Sequence, residues 1–273
     1  MNFRTLRDKG AEKLSRVCIP NASHDAGKLL AWLIGLSPLY ASSLNVDVPE
    51  DIASKYYSMI ERRANREPLQ YIIGEAEFMG LNIKVEPCVL IPRFDSECLV
   101  ESCLNLLKEN ATVLDICTGS GAIAIAIKKH RPDATVYASD ISQEALIVAE
   151  KNAKLNDTDI TFINSDMFDD IPLSFDIIVC NPPYIPEGDM INLQPEVKRE
   201  PALALSAGKD GMNIYRRLFP ESRDRLKPGG FLICEMGDGQ KETINNIARS
   251  SGYTLIYENK DMADLTRALV FTT

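Results

Sequence analysis

At 273 residues, with 45% hydrophobic and 25% charged residues, the chain has room for two domains and the balance of a soluble globular protein. A net charge of −9 argues against bulk attachment to a nucleic-acid backbone, where Lys and Arg must displace counterions, and suits a basic protein partner or a cationic cofactor. Seven scattered cysteines without a C-x-x-C pair, and only two histidines, argue against a disulfide framework or a zinc site and point to reduced thiols in the cytoplasm.

The first residues, Met1-Asn2-Phe3-Arg4-Thr5-Leu6-Arg7-Asp8-Lys9, lack the apolar core of a signal peptide. The most apolar run, 29–36, is too short for a bilayer, so no membrane association is expected. Leu6, Leu14 and Val17 predict one face of a first helix. Ser23 is placed to cap a second helix that runs to about residue 36 and carries Trp32, expected in the core. Pro49-Glu50-Asp51 opens a third, with Ile52, Tyr56, Met59 and Ile60 on one face. Residues 1–73 therefore read as a helical bundle. Residues 74–91 change to alternation, with Gly80-Leu81 at the middle of a hairpin linker.

Residues 92–273 then form the larger domain. A helix is predicted over about 95–108, after which strand and helix alternate. Strands are expected at 112–117, 135–139, 160–163, 175–180, 230–235, 254–258 and 267–272. Helices are expected at 122–129, 143–155, 215–226 and 241–250. Such alternation implies an α/β fold with a seven-stranded, mainly parallel sheet covered on both faces. The stretch 185–211 has little periodicity, and a loop of that length beside a strand end is usually functional or mobile.

Two places in the larger domain carry chemistry. Val113-Leu114-Asp115-Ile116-Cys117-Thr118-Gly119-Ser120-Gly121-Ala122 is a strand, a glycine turn and a helix start. Gly119 and Gly121 let backbone approach a ligand, and the helix N-terminus favours an anionic group. Asp140 ends the next strand, where an acid accepts from ribose hydroxyls. The spacing Gly119-x-Gly121-x-x-Ala124 also satisfies the dinucleotide fingerprint, which alone is weak and leaves a nicotinamide-dependent dehydrogenase open. S-adenosylmethionine is favoured over NAD by three features. Asp115 would repel a pyrophosphate but can hold an ammonium directly or through water. Asp166 and Phe168 follow the third strand, where an acid reaches an adenine amine and a ring stacks on adenine. Asn181-Pro182-Pro183-Tyr184 follows the fourth strand and has no evident use in hydride transfer. Each acid taken singly reads equally well as a cap or solvated charge, and Phe168 as a core contact; four signals at successive strand ends outweigh those readings.

In Asn181-Pro182-Pro183-Tyr184 two prolines stop the strand and fix a bend, since neither has an N–H and each locks φ. The bend offers an amide, a free carbonyl and a flat ring at the carboxyl end of a strand, an arrangement that seats a planar NH₂ group.

On the glycine turn 115–121, this four-residue motif, Gln70-Tyr71-Ile72-Ile73-Gly74-Glu75, Ile91-Pro92-Arg93, Asp95-Ser96-Glu97 and Val197-Lys198-Arg199-Glu200-Pro201, the chain resembles the PrmC/HemK family. These are class I S-adenosylmethionine-dependent methyltransferases that act on glutamine N5 of peptide-chain release factors. The resemblance covers nearly the whole chain. It departs from the family at Phe94, where Pro is usual, and at Cys117, which replaces the frequent first glycine of the turn; residues 261–267 match only loosely and contribute no functional residue.

The resemblance implies that S-adenosylmethionine is held by Asp115, Cys117, Thr118, Gly119, Ser120, Gly121, Asp140, Asp166, Phe168 and Asn181. The substrate amide is met by Asn181, Pro182, Pro183 and Tyr184, with the Asn181 side-chain oxygen and the Pro182 carbonyl accepting from its NH₂ and Tyr184 packing on its plane. No metal is required, because a sulfonium is already a strong methyl donor. The implied substrate is the glutamine of a Gly-Gly-Gln loop in class I release factors; alternatives are a ribosomal-protein glutamine and, less favoured by the acidic balance, adenine N6 in nucleic acid. Arg93 reads equally as a ligand contact or as an ion pair with Asp95 or Glu97. Glu200 reads as a solvated charge, and Cys117, Cys180 and Cys234 as small buried residues.

Overall fold

The computed structural model describes residues 1–261 and 263–273; Met262, within the loosely matching stretch, lies outside them. The chain divides into two compact units, one of residues 1–74 and 194–199, the other of residues 75–193 and 200–273.

The first unit is helical. It comprises α1 (Phe3–Arg16), α2 (Ala22–Leu33), α3 (Pro38–Leu44), α4 (Glu50–Ala64) and α5 (Leu69–Ile73). Helices this short are marginal alone, so their stability comes from burying one face. Phe3, Leu6, Leu14, Leu29, Leu30, Tyr56 and Ile60 form the fully buried centre. Asn2 caps α1 by accepting from the Thr5 N–H at 3.0 Å. Three expectations fail locally. Val17 is 40% exposed, because α1 ends at Arg16 and Cys18 turns the chain with φ 56°. Ser23 lies inside α2, which starts after Asn21. Trp32 is 43% exposed, because Ala26, Leu29 and Leu30 take the inward face of α2. Asp25 in the first turn of α2 pairs with Arg63 of α4 at 2.8 Å, both buried. Glu196 adds to this cluster, 2.9 Å from Arg63 and 3.3 Å from Arg66.

The second unit opens with an antiparallel hairpin, β1 (Glu75–Phe78) and β2 (Leu81–Lys84). Its two-residue turn is Met79-Gly80, with φ of 50° and 71°, one position earlier than expected; two consecutive positive φ values are what a tight hairpin matched to strand twist requires. A 3₁₀ turn (Phe94–Ser96) leads into α6 (Glu97–Leu106). There follow β3 (Thr112–Ile116), α7 (Ala122–His130), β4 (Thr135–Asp140), α8 (Gln143–Leu155), β5 (Ile160–Asn164) and β6 (Phe175–Cys180). After a long segment holding three 3₁₀ turns come α9 (Asn213–Arg223), β7 (Leu226–Glu235), α10 (Lys241–Ser250), β8 (Thr254–Lys260) and β9 (Thr266–Thr272). The strands make one seven-stranded sheet in the order β5-β4-β3-β6-β7-β9-β8. Only the pairs involving β9 are antiparallel.

The order reverses between β3 and β6, since β4 and β5 lie on one side of β3 and β6 and β7 on the other. The carboxyl ends at such a reversal are where an open α/β sheet binds ligands. β3 and β6 are central and apolar, with Val113, Leu114, Ile177, Ile178 and Val179 buried, as a parallel strand covered on both faces requires. Among the described residues no helix is long and apolar enough to cross a membrane.

Candidate functional site

A cavity of ≈ 290 Å³ opens over the carboxyl ends of the parallel strands. Cys117, Thr118, Gly119 and Ser120 from the turn after β3 line it, together with Asp140 from β4, Asp166 after β5, and Asn181 and Pro183 after β6. Four segments distant in sequence are brought together because all four strands run in parallel.

The turn after β3 is held from below. Asp115 is fully buried, and its Oδ2 accepts from the Thr118 hydroxyl at 2.5 Å and the Ala124 N–H at 3.1 Å. Its Oδ1 has no hydrogen-bond partner among the described residues. Burial is the main cause that pushes this carboxyl up to about 7, partly offset by those two hydrogen bonds. Asp115 lies beneath the turn and shapes it, and is not itself part of the cavity lining. The Thr118 N–H donates to the Ser139 carbonyl at 3.0 Å, tying the turn to β4. Cys117 stands in the left-handed region at φ 60°, the conformation for which glycine is common at this position.

The two glycines do different work. A Cβ at Gly119 would meet nothing within 4 Å, so this backbone is open on its cavity side. A Cβ at Gly121 would lie 3.0 Å from the Ala149 Cβ, so Gly121 serves the close packing of α7 on α8. Asp140 accepts from the Gly119 N–H at 2.8 Å on one oxygen and from the Ser142 N–H at 2.9 Å on the other. Each oxygen keeps a further lone pair for a hydroxyl donor. Desolvation raises this carboxyl above its ordinary value.

After β5 the sequence reading needs correction. Phe168 is buried among core residues and does not line the cavity. Met167, at φ 51° and equally buried, is the one of the two that lines the cavity. Asp166 lines the cavity as expected and pairs with Arg217 of α9 at 2.7 Å.

After β6, Asn181 lines the cavity and donates from Nδ2 to Ser96 Oγ at 3.0 Å. Pro183 lines it too, while Pro182 is buried. Among the described residues no protein donor reaches the Pro182 carbonyl. Tyr184 lies outside the cavity lining, and its hydroxyl donates to Glu235 Oε1 at 3.2 Å. The Tyr184 carbonyl accepts from Gln240 Nε2 at 2.7 Å. Two glycines box this residue in: a Cβ at Gly211 would fall 2.3 Å from the Tyr184 carbonyl oxygen, and one at Gly237 would fall 3.1 Å from its Cδ2.

Glu235, Ser96, Gln240 and Gly237 are parts of the site that the sequence reading missed. A signal existed for Glu235, an acid closing the apolar run Phe231-Leu232-Ile233-Cys234 at a strand's carboxyl end, as Asp115 and Asp140 do. Glu200 is buried rather than solvated, because Oε2 accepts from the Ile91 N–H at 3.0 Å and Oε1 pairs with Arg93. Arg93 is thus an ion-pair residue, although its partner is Glu200 and neither Asp95 nor Glu97. Cys180 and Cys234 are neighbours in register on β6 and β7, and both are fully buried.

A methyltransferase small domain model matches residues 94–196, and a PrmC N-terminal domain model matches residues 5–74. A release factor glutamine methyltransferase of Geobacter sulfurreducens is 39% identical over 97% of this chain and 91% of its own length. The protein of the same name from Streptococcus pneumoniae is 47% identical over 69% of this chain and 68% of its own. Among solved structures, a methyltransferase from Pyrococcus furiosus superimposes with a TM-score of 0.55 at 22% identity, over 70% of this chain and 88% of that one, a likeness of fold.

Proposed function

This chain belongs to the release factor glutamine methyltransferase family, and from that premise we propose that it methylates the side-chain amide nitrogen of the glutamine in the Gly-Gly-Gln loop of class I peptide-chain release factors, in the cytoplasm. The observation that carries the reading is the placement of Asn181-Pro182-Pro183-Tyr184 at the end of β6, with Asn181 and Pro183 on the wall of the cavity that the glycine turn also lines. The residues present fit S-adenosylmethionine: Gly119 leaves open space, Asp140 keeps lone pairs for ribose hydroxyls, and Asp115 carries an unpartnered buried oxygen under the turn. When bound, S-adenosylmethionine supplies a methyl group on a sulfonium. Cys117, Thr118, Gly119 and Ser120 of the glycine turn, with Asp140, Ile141, Asp166 and Met167, would hold it, and Gly121 lets that turn enter α7 against α8.

A carboxamide nitrogen is a poor nucleophile, because its lone pair is delocalised into the carbonyl. Asn181 Oδ1 and the Pro182 carbonyl accept from its two N–H bonds and so fix its orientation. Both acceptors are rigid, one held through Ser96 and the other by the proline ring. Acceptors already aimed at the nitrogen gain strength as it becomes positive, which favours the transition state over the ground state. Orientation alone is worth up to about 7–11 kcal/mol for well-aligned groups. Tyr184 stands just beyond the cavity lining, braced by Glu235, Gln240 and two glycines, and in this reading flanks the amide's plane as the side chain enters. The helical unit is assigned to engaging the release factor outside that loop. Incubation with tritiated S-adenosylmethionine and a purified release factor, alongside its Gln→Ala variant, tests the reading. Label on the unaltered factor alone is expected; label on both, or on neither, overturns it.

A further inference from the structure

The stretch from Asn181 to Tyr184 is too short to fix its own place. Its prolines set φ within it, but its two ends must be held from outside. At the first end, Asn181 Nδ2 donates to Ser96 Oγ at 3.0 Å. At the other, Ile185, which follows Tyr184, donates its N–H to the Leu205 carbonyl at 2.9 Å. Its own carbonyl accepts from the Ala207 N–H at 3.0 Å.

The holders of both ends lead to Glu200. Its side chain is 2% exposed and does not line the cavity. Burying an acid is costly unless its oxygens are satisfied, and here both are. Oε2 accepts from the Ile91 N–H at 3.0 Å, and Oε1 pairs with the Arg93 guanidinium. The Arg93 carbonyl accepts from the Ser96 N–H at 3.1 Å, so the residue that Glu200 grips also starts the 3₁₀ turn carrying Ser96. In the other direction, Glu200 runs through Pro201 into a second 3₁₀ turn, Ala202–Ala204. The Ala202 carbonyl accepts from the N–H groups of Leu205 at 3.1 Å and Ser206 at 2.9 Å, and this sets Leu205 where Ile185 meets it. Two arms, one ending on Asn181 and the other beside Tyr184, therefore join at Glu200. They also share the cavity wall, with Leu90 and Pro92 on one arm and Pro201 and Ala204 on the other.

We propose that Glu200 is a positioning residue for methyl transfer: by gripping Ile91 and Arg93 it closes this circuit and holds the two ends of the Asn181–Tyr184 stretch in register with each other. The assignment rests on the glutamine-methylating reading above and deepens it. A residue that only stabilised the fold would act on the rate independently of Ser96. One that closes the circuit does not.

Single-turnover methylation of a release factor by the full chain at saturating S-adenosylmethionine tests the assignment with E200Q. Glutamine keeps the size and an oxygen for the Ile91 N–H, but sets an NH₂ donor against the Arg93 guanidinium. The Ser96 turn keeps another tie, Asp95 to Arg267 at 3.3 Å, so the loss is bounded. E200Q is expected to slow transfer about tenfold, within the range that misplaced reacting groups cost. Its cofactor dissociation constant should stay within about threefold of wild type. S96A cuts the same circuit at another link, so adding E200Q to S96A should slow it by less than about twofold more. R93A is the milder variant, since that side chain is 39% exposed and Ile91 still holds Glu200; a loss of about threefold is expected, again absent in the S96A background. Unchanged rates in E200Q and R93A, or effects that multiply in full with that of S96A, overturn the proposal. A second readout needs no turnover. The Asn181 side-chain ¹⁵N amide pair, identified by its absence in N181A, should shift in both E200Q and R93A, and a pair unmoved in both also overturns it. Wild-type protein that binds S-adenosylmethionine but labels no release factor refutes the glutamine reading instead, while the amide pair still decides the link from Glu200 to Asn181.

Discussion

The ends of β3 and β7 each bury a carboxylate, and each leaves one oxygen without a partner among the described residues. Asp115 and Glu235 are both pushed up to about 7 by burial. They differ in what they hold. Asp115 bonds to Thr118 and Ala124, three and nine residues onward, and stiffens its own turn. Glu235 bonds to Tyr184, separated by 51 residues, and Asn181 reaches the neighbouring Ser96 across 85. On the β3 side the acid therefore stiffens a turn built from local sequence, and on the β7 side it ties together distant pieces of the chain.

The largest effect expected from separating these sides is at Asn181. N181A should lower methyl transfer by at least about 10²–10³, the scale seen when one transition-state hydrogen bond is lost, while cofactor affinity stays within about tenfold. Near-normal turnover by this variant would remove the acceptor role. D140A should do the reverse: calorimetry is expected to show S-adenosylmethionine binding weakened by about 10–100-fold, on the scale of ~1.5–3 kcal/mol for bonds to a charged group, with turnover at saturation changed far less. An unchanged dissociation constant would rule out the ribose contact.

A smaller effect concerns stability. The folded Asp115 carboxyl is raised to about 7 from 3.8, so burial favours its protonated form. Its contribution to stability is full below pH 3.8 and is lost as pH rises through 7. D115N has no such loss, so between pH 6 and 8 its melting curve should gain on wild type by on the order of 1 kcal/mol. A constant offset across that interval would show that Asp115 does not titrate there. Smallest of all is Y184F, which keeps the ring and deletes the hydroxyl bonded to Glu235. A fall in kcat of a few-fold is expected, since one neutral-to-charged hydrogen bond is worth ~1.5 kcal/mol or somewhat more before the ring's packing compensates. A drop as deep as that of N181A would mean that the ring is misplaced.

The contrast also explains what was legible in the chain. Strands and helices of the larger unit follow from periodicity, and 143–155, 175–180 and 241–250 match α8, β6 and α10 to the residue. The glycine turn and Asn181-Pro182-Pro183-Tyr184 are contiguous, so their chemistry is visible as text. Ser96, Gln240, Gly211 and Gly237 acquire meaning only when parallel pairing brings distant strand ends together. Phe168 departs from the expectation for a different reason: of two adjacent buried residues only Met167 lines the cavity, and composition carries no record of which. In the helical unit, α3 and α5 are seven and five residues long, too short for a periodic signal.

A thiolate beside an electrophilic methyl donor is a far better nucleophile than an amide. Cys180 precedes Asn181 directly, and Cys234 is its neighbour across the sheet. As thiolates, either would outcompete a carboxamide nitrogen. Both are sealed within the sheet, and burial pushes both thiols well up, so they stay protonated at neutral pH. The floor beneath Asn181 is thereby protected from self-alkylation, although Cys88 and Cys117 line the cavity itself.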